Sequence, residues 1–247
     1  MSKKQIAEVY DNIAGTWSEK VWVKSSDFNH RIVSFSDVKG NESALDVGIG
    51  AGDLEDFLGL ERVTGVDISK QMLDECRRKH PGFDLHEGDA ESLPFPEGRF
   101  DFVYCRNFLQ NFEDPQKVFS EMYRVLRAGG KLMAVESAVY ESERQYVTDI
   151  VRVVEPHHAL FPSHEQLHNL FKKYGLKNIN QRVEGLHKKW LSGFCKSKQA
   201  TPEQKRRIIE ICQGLPESYR NKYQMEFHPS EEEIESTLTF SFIKGVK

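Results

Sequence analysis

The residue types and spacing at positions 45–54 could form a ligand-binding turn. After an apolar run, Gly48, Gly50 and Gly52 form a G-x-G-x-G pattern. Glycine permits a positive φ and lets a ligand approach the backbone with no Cβ in the way. Asp53 can cap a following helix, whose free N–H groups would favour ligand oxygens. Since glycine turns also occur in ordinary loops, the pattern needs support from other segments.

The next apolar segment, 62–68, supplies that support because it ends in an acid, Asp67. A carboxylate at the end of a second strand, near a glycine turn, can accept two hydrogen bonds from a ribose diol. The nicotinamide fingerprint is G-x-G-x-x-G, and Asp53 stands where its third glycine would fall. The spacing therefore disfavours a nicotinamide oxidoreductase.

Five ordered segments together resemble the motifs of class I S-adenosylmethionine-dependent methyltransferases. They are residues 45–54, 66–69, 88–95, 99–103 and 126–132, and they lie within residues 40–135. They look most like the small-molecule branch (methyltransferase type 11) of ubiquinone and menaquinone biosynthesis. The resemblance implies S-adenosylmethionine as the cofactor and methyl transfer to a small molecule by in-line displacement. The alternatives are methylation of a macromolecule, tRNA or protein, and a cofactor-binding regulator without turnover.

Composition limits the other functional classes. The chain has 247 residues and a net charge of −4, so no global basic field attracts nucleic acid or an anionic membrane. No segment approaches the roughly 20 apolar residues of a membrane span, and the N-terminus lacks the apolar core of a signal peptide. The four cysteines form no C-x-x-C pair, which favours free thiols in a reducing compartment. We therefore expect a cytoplasmic protein, and the sequence does not indicate its oligomeric state.

Strands that alternate with helices predict an α/β fold with a parallel sheet covered on both faces. The resemblance implies a seven-stranded, mostly parallel, doubly wound Rossmann-like sheet whose last strand is antiparallel. We expect one domain, 1–247, with an N-terminal lid helix region at 1–30, a cofactor-binding core at 40–135 and a helical insert at 186–228.

Local signals predict several helix ends. Ser69 and Asp114 are expected to cap helices, and Pro115 suits the first position of the second of these. Thr201 opens a capping box that would begin a helix in the insert. Gly129 and the glycine after it are expected to end the helix that begins at Pro115.

Apolar residues at helical spacing predict an amphipathic helix over residues 6–17. The resemblance implies that this helix covers the cofactor, with the Tyr10 hydroxyl near the cofactor carboxylate and the Trp17 ring near its sulfonium. Simple packing of the helix on the sheet edge is the alternative.

Open α/β sheets bind ligands at the carboxyl ends of their strands. In this family the glycine turn would contact the methionine and ribose parts of the cofactor, and Asp67 would bind the ribose hydroxyls. Asp89 would accept a hydrogen bond from the adenine amino group, the Ala90 N–H would donate to the ring, and Ile68 and Met72 would sandwich it. The full predicted cofactor-binding set is Tyr10, Trp17, Asp46, Gly48, Ile49, Gly50, Gly52, Asp67, Ile68, Met72, Asp89, Ala90, Glu91, Cys105, Arg106 and Asn107.

Two residues are candidates for acid–base catalysis. Glu136 stands at the predicted tip of strand five, a position that can face the substrate but that also suits an ordinary strand-end acid. His158 lies in a Glu-Pro-His-His stretch that resembles a segment near the active-site mouth in one bacterial subgroup. That subgroup commonly has a His-His pair where this chain has Gln110 and Asn111, so the acceptor is expected to differ.

Metal and thiol chemistry are not predicted. His164 and His168 have the i, i+4 spacing of a metal-binding pair, but no further ligand accompanies them and solvated helix histidines are the preferred interpretation. Cys105 stands at a strand tip without a cationic partner that would lower its pKa.

The insert is expected to cover the methyl acceptor. Its aromatic residues could line an apolar pocket; they are Trp190, Phe194, Tyr219, Tyr223 and Phe227. Its basic residues keep RNA as an alternative partner; they are Lys196, Lys198, Lys205, Arg206, Arg207, Arg220 and Lys222. Aromatic and basic residues do not interleave as in a recognisable RNA-binding module, so a small-molecule acceptor is preferred.

Overall fold

The computed structural model describes residues 3–17, 25–112, 114–156, 161–230 and 232–247. The helices are α1 Lys3–Trp17, α2 Ser26–Ser36, α3 Glu55–Leu58, α4 Lys70–Lys79, α5 Pro115–Val125, α6 Arg144–Arg152, α7 His164–Lys173, α8 Leu191–Ser197, α9 Pro202–Gly214 and α10 Glu217–Lys222. The strands are β1 Ser43–Val47, β2 Arg62–Asp67, β3 Asp84–Glu87, β4 Phe100–Arg106, β5 Leu126–Ser137, β6 Lys177–Lys189, β7 Glu226–His228 and β8 Glu233–Val246.

The strands form one sheet in the order β3-β2-β1-β4-β5-β8-β6, with β7 paired to β8. Strands β1 to β5 pair in parallel, and β7 and β8 pair in antiparallel fashion. The central strand β1 is almost wholly buried, as expected for a parallel strand covered on both faces. The predicted mostly parallel sheet with an antiparallel end is confirmed. The eighth strand is the three-residue β7, which is too short to give an alternating pattern in the sequence.

The chain divides into two compact units. The first comprises 1–136, 166–182 and 241–247, and it holds β1 to β5 with helices α1 to α5. The second comprises 137–165 and 183–240, and it holds α6, α8, α9, α10 and β7. The single-domain organisation remains a prediction.

The second unit has an apolar core of its own. Leu191 and Ile208, from α8 and α9, are fully buried there together with Ile234 of β8. Tyr219 and Tyr223 belong to the same core, and their rings lie 4.6 Å apart. All five aromatic residues that were expected to line an acceptor pocket therefore belong to this core or pack against it, the other three being Trp190, Phe194 and Phe227.

The predicted end of α5 at Gly129 is wrong. The helix ends at Val125, and β5 begins at the next residue. The Gly129 N–H donates to the Lys247 carbonyl (3.0 Å), and the Lys247 N–H donates to the Gly130 carbonyl (3.0 Å). Pairing with the C-terminal residue places this glycine pair inside strand β5, a long-range contact that no local pattern reveals.

The predicted capping role of Asp53 is also wrong. Helix α3 begins at Glu55 after Leu54, which provides no side-chain cap. The Asp53 carboxylate is buried and forms an ion pair with the Lys79 ammonium at the end of α4. A buried carboxylate gains more from an opposite charge than from an exposed helix end.

The other predicted caps are confirmed. The Ser69 hydroxyl accepts a hydrogen bond from the Met72 N–H (3.1 Å) and begins α4. Thr201 and Gln204 form the reciprocal capping box of α9. None of the described helices is long and apolar enough to cross a membrane.

Asp114 begins α5 by accepting a hydrogen bond from the Gln116 N–H at 3.1 Å. Replacing a capping aspartate by alanine removes this acceptor, so Asp114→Ala should lower the free energy of unfolding by about 1 kcal/mol. Urea unfolding would measure this loss. Asp114→Asn is the matched control, because asparagine caps helices as well as aspartate does and should keep most of the stability. An equal loss in both variants would show that the charge, and not the cap, carries the effect.

Candidate functional site

A cleft lies at the carboxyl ends of β1, β2, β3 and β4, under helix α1. Its lining comprises Lys3, Ile6, Tyr10, Gly48, Gly50, Val66, Asp67, Ile68, Met72, Gly88, Asp89, Ala90, Arg106, Asn107, Phe108, Asn111 and Phe112. Ten of the residues predicted to bind the cofactor are in this lining. The space inside the cleft is about 50 Å³, less than the roughly 300–1,000 Å³ of pockets that hold small ligands. A ligand of nucleoside size therefore requires part of the lining to move.

The glycine turn after β1 has the backbone conformation that its composition predicts. Gly48 and Gly50 have φ values of +80° and +55°. The Gly48 N–H donates to the Val66 carbonyl (2.7 Å), which holds the turn against β2. A Cβ on Gly48 would lie only 2.2 Å from the ring of Phe108. Both the backbone conformation and the close approach of this ring require glycine here.

The Asp67 carboxylate stands at the end of β2 and joins this turn to α4. Its Oδ2 accepts a hydrogen bond from the Gly50 N–H and its Oδ1 accepts one from the Ser69 N–H, both at 2.9 Å. Burial raises the pKa of Asp67 to about 6, although the backbone N–H donors oppose this shift. At pH 7 the group is mostly ionised. A carboxylate oxygen can accept more than one hydrogen bond, so it can also accept bonds from hydroxyl groups in the cleft.

The acidic residues after β3 are held by a lysine from α1. The Lys3 ammonium pairs with the Asp89 carboxylate and lies 2.7 Å from Glu91 Oε2. The other Asp89 oxygen accepts a hydrogen bond from the Glu91 N–H at 2.9 Å. The buried Ala90 lies between the two acids on the cleft wall. Sequence reasoning missed Lys3, since a lysine near the N-terminus carries no distinguishing pattern.

Helix α1 packs on the cleft through both polar and apolar contacts. The Tyr10 hydroxyl donates to Asn111 Oδ1 at 3.0 Å. Asp11 Oδ1 accepts hydrogen bonds from the Ser69 hydroxyl (2.6 Å) and the Gln71 N–H (3.1 Å), at the start of α4. Ala14 is buried in a cluster with Ala51 and Met72. Trp17 ends the helix, and its side chain lies outside the part of the chain that is described.

The tip of β4 bends sharply into the cleft. Asn107 has φ +50°, a left-handed conformation that asparagine tolerates better than most residues. Phe108 follows it, and its ring lies 5.0 Å from that of Phe112. The one-turn helix Leu109–Asn111 comes between them. Phe108 and Phe112 were missed as site residues. Asn111, one of the two positions where the resembling subgroup has histidines, lies on the cleft wall.

Glu136 lies behind this segment and is fully buried. Its Oε1 accepts hydrogen bonds from the N–H groups of Phe108 (3.0 Å) and Leu109 (3.1 Å). Its Oε2 is buried and has no hydrogen-bond partner among the residues that are described. Burial raises the pKa of Glu136 to about 7. The residue does not line the cleft, and its contacts are those of a group that positions the turn after β4.

Asp46, another predicted binding residue, is also buried behind the cleft wall. Desolvation and the neighbouring Glu55 carboxylate raise the pKa of Asp46 well above its usual value. Glu55 in turn accepts a hydrogen bond from the Tyr104 hydroxyl at 2.7 Å. The Arg106 guanidinium donates to Asn29 Oδ1 (3.0 Å) and interacts favourably with both carboxylates. This group of charges supports the strand tips from within the first unit.

Other predicted binding residues contribute indirectly. Ile49 packs over Gly65, where a Cβ would lie 2.5 Å from its side chain. A Cβ on Gly52 would meet Cys76 Sγ at 2.7 Å. Cys105 is fully buried, and burial raises the pKa of its thiol well above the usual range. Because the thiolate is the reactive form, this position disfavours thiol chemistry.

The histidine predictions have different outcomes. His158 lies outside the described residues. The interpretation of His164 as a solvated helix residue is wrong, because it is 4% exposed and its ring packs edge-on against Tyr140. The His168 ring nitrogen Nδ1 lies 2.9 Å from Gln181 Oε1 in the first unit.

Three of the lysines that were named above in the insert pair with acids of the second unit. Lys198 binds Glu155 (2.6 Å) and Lys222 binds Glu143 (2.7 Å). Lys205 lies 3.4 Å from Glu232. These ion pairs reduce the positive potential that the sequence alone suggested.

Sequence comparison relates part of this chain to known methyltransferases. Residues 45–134 match the family model described as "Methyltransferase domain". A demethylmenaquinone methyltransferase from Listeria welshimeri is 34% identical over 145 residues, which are 55% of this chain and 60% of the relative. The corresponding enzyme from Chlorobaculum parvum is 32% identical over 149 residues, covering 56% of this chain and 62% of the relative. The chain thus spans about 60% of the length of these curated relatives.

Solved structures share the fold. The YcgJ protein from Bacillus subtilis has a TM-score of 0.79 at 22% identity, covering 89% of this chain and 97% of that one. Phosphoethanolamine N-methyltransferase 2 from Haemonchus contortus, solved with S-adenosylhomocysteine, has a TM-score of 0.59 at 22% identity, covering 96% of this chain and 57% of that one. At these identities the likeness concerns the fold.

The buried Glu136 predicts a pH-dependent stability. Its pKa rises from 4.5 to about 7 on folding, so stability that is present below pH 4.5 is lost as the pH rises towards 7. A pKa difference of one unit corresponds to about 1.4 kcal/mol, so the loss in the free energy of unfolding is on the order of 3 kcal/mol. Glutamine keeps an acceptor oxygen but has no charge. Urea unfolding at each pH would therefore compare the free energy of unfolding of Glu136→Gln with that of the wild type. This difference should favour the variant by roughly 2–3 kcal/mol more at pH 8 than at pH 5.

The same substitution at the exposed Glu87 is the control for this experiment. It should leave the difference between the two pH values unchanged. If Glu136→Gln changed stability equally at pH 5 and pH 8, the burial of a charged Glu136 would not explain the effect.

Proposed function

We propose that this chain is a class I S-adenosylmethionine-dependent methyltransferase that transfers a methyl group to a small molecule, because residues 45–134 match the family model described as "Methyltransferase domain". The observation that carries the proposal is the arrangement of the glycine turn and Asp67 at one end of the cleft. Gly48 and Gly50 present backbone without a Cβ, and the Asp67 carboxylate lies beside them. This arrangement suits a ligand with a ribose diol.

The residues of the cleft fit S-adenosylmethionine. A Cβ at Gly48 would enter space that already touches the Phe108 ring, so the turn accepts close contact only because it has no side chain. We propose that Asp67 binds the ribose hydroxyls, that Asp89 and Ala90 contact the adenine edge, and that Ile68 and Met72 pack on the adenine faces. When bound, the cofactor supplies an activated methyl group on a sulfonium for in-line displacement.

The protein's contribution to such a transfer is alignment of the reactants and exclusion of water, which can lower the barrier by several kcal/mol. Helix α1 would do this by closing over the cleft through Tyr10 and Asp11. Glu136 would act as a positioning residue, since its contacts are with the backbone at Phe108 and Leu109. His158 remains a candidate acid–base residue from its sequence position alone.

We propose that the acceptor is a small, partly apolar molecule. The cleft lining includes the apolar residues Ile6, Phe108 and Phe112, and apolar walls with few polar groups are typical of small-molecule sites. The relatives from Listeria welshimeri and Chlorobaculum parvum carry the name of an enzyme that methylates demethylmenaquinone. A quinone-like aromatic ring is therefore the first acceptor class to test, by incubation with the cofactor and mass spectrometry for the added methyl group.

Macromolecular acceptors are the alternative to a small-molecule acceptor. The affinity for tRNA and its dependence on salt distinguish these two proposals. A small-molecule enzyme should show little affinity for tRNA at 0.15 M salt. Micromolar tRNA binding that weakens steeply with added salt would contradict the small-molecule proposal.

The cofactor proposal predicts ligand-dependent stabilisation. S-Adenosylhomocysteine should raise the Tm, because it binds the folded state alone, and NAD should not. Asp67→Ala should weaken S-adenosylhomocysteine binding by about 1.5–3 kcal/mol, since charged hydrogen bonds to a diol are lost. Calorimetric titration would measure the affinity.

Asp74→Ala is the matched control, because Asp74 is an exposed α4 acid paired with Arg77. It should bind S-adenosylhomocysteine as the wild type does. Wild-type affinity in the Asp67→Ala variant would remove Asp67 from the site.

The narrow cleft predicts that α1 opens during ligand exchange. Amide hydrogens of residues 5–17 should exchange faster in the free protein than in the presence of S-adenosylhomocysteine. Asp11→Asn weakens the acceptor for the Ser69 hydroxyl and should raise exchange in the free protein further. Equal protection with and without ligand would favour static packing of α1 on the sheet edge.

A further inference from the structure

Acidic and imidazole groups meet on one face of the β7–β8 pair, within the second unit. Glu226 lies directly opposite Glu235 in the antiparallel register. His228 is two residues after Glu226, so its side chain lies on the same face of the strand. One ligand atom from each of these residues lies within 4.8 Å of the others. We call these three residues the His–Glu cluster.

The imidazole of His228 presents a buried nitrogen to the Glu235 carboxylate. Its Nε2 is buried and makes no hydrogen bond with any residue that the structure describes. This nitrogen lies 3.3 Å from Glu235 Oε2. A buried polar atom that makes no hydrogen bond costs free energy, and a neutral imidazole nitrogen is a common metal ligand.

A second histidine supports the cluster from β6. His187 Nε2 lies 3.4 Å from Glu235 Oε1, and its Nδ1 lies 3.1 Å from the Thr237 hydroxyl oxygen. Each oxygen of the Glu235 carboxylate therefore faces a different histidine. If one Glu235 oxygen binds a metal ion, His187 holds the other oxygen and fixes the orientation of the carboxylate. Such supporting hydrogen-bond partners are usual around protein metal ions.

We propose that Glu226, His228 and Glu235 bind a divalent transition-metal ion, with His187 as a positioning residue. Nitrogen and carboxylate ligands at about 2.0–2.2 Å suit Zn²⁺. In a tetrahedral site such ligands lie about 3.3 Å apart, which is the separation of His228 Nε2 and Glu235 Oε2. Two carboxylates balance the charge of the ion. Mg²⁺ and Ca²⁺ prefer oxygen ligands alone, so they fit the cluster poorly.

The ion would have a structural role. Because two ligands come from the three-residue strand β7 and one from β8, binding fastens a strand that is too short to be held strongly by its own backbone pairing. Ligand binding to the folded state raises its stability. The proposed site is independent of methyl transfer.

Zn²⁺ titration of the full chain tests the site. Isothermal titration calorimetry should show about one ion bound per chain, and Zn²⁺ should raise the Tm while Mg²⁺ at the same concentration does not. His228→Ala and Glu235→Gln should each weaken Zn²⁺ binding by about 100-fold or more, since loss of an outer-shell group alone costs about 10–100-fold. His187→Ala should weaken it by about 10-fold.

His30→Ala is the matched control. His30 lies on α2 in the first unit, and its Nδ1 lies 2.8 Å from the Ser26 carbonyl of its own helix. It should bind Zn²⁺ as the wild type does. Glu226→Gln changes an exposed side chain, so this variant folds even if His228→Ala does not, and it should also lose affinity. Absence of saturable Zn²⁺ binding, or wild-type binding in Glu226→Gln and Glu235→Gln, would overturn the proposal and leave the cluster as ion pairs between histidine and glutamate.

Discussion

The Asp67 carboxylate holds together the elements that form the cleft. One of its oxygens accepts the Gly50 N–H and the other accepts the Ser69 N–H. Ser69 in turn caps α4 and donates its hydroxyl to Asp11 of α1. A single chain of hydrogen bonds thus runs from the glycine turn, through the end of β2, to the helix that covers the cleft. Since each group in the chain fixes its neighbour, the binding surface depends on this acid for its shape as well as its charge.

Buried acids extend the same principle behind the cleft wall. Glu136 fixes the turn after β4 by accepting two backbone N–H groups. The buried Asp46 and Glu55 carboxylates interact with each other and with the Arg106 guanidinium. Burying a carboxylate is costly unless it is hydrogen-bonded or paired. Asp46 and Glu136 lie near the carboxyl ends of β1 and β5, and Glu55 begins α3. These positions indicate that stability is given up here to hold backbone segments in the conformations that the site needs, a trade expected at functional sites.

The cofactor half of the site could be predicted from the sequence because its requirements are local. The glycines predict a turn with positive φ, and Asp67 is found as an acid at the end of an apolar segment. Ser69, two residues later, predicts the start of a helix. Strand pairing over long distances could not be predicted in this way. The C-terminal Lys247 pairs with Gly129 and Gly130, and this contact turns an apparent helix end into a strand. The roles of Lys3 and Phe108 depend on the tertiary placement of α1 and of the turn after β4.

The aromatic residues of the insert show why the acceptor half is harder to predict. Tyr219 and Tyr223 could serve a pocket or a core equally well from their spacing, and in the structure they pack in a core. An apolar pattern predicts that a side chain is buried, but it does not predict whether core residues or a bound ligand cover that side chain.

The cleft also shows that binding groups can be satisfied by the protein itself. Asp89 holds Lys3, and the Phe108 ring lies against Gly48. A ligand that takes these positions must first replace the internal contacts. Its affinity is then the difference between two sets of interactions, and not the sum of one set. Asp67 is different, because its internal partners are backbone N–H groups and the residue also lines the cleft, so a ligand need not displace those partners to bind it. The same carboxylate can therefore maintain the fold of the site and bind a ligand without giving up either role.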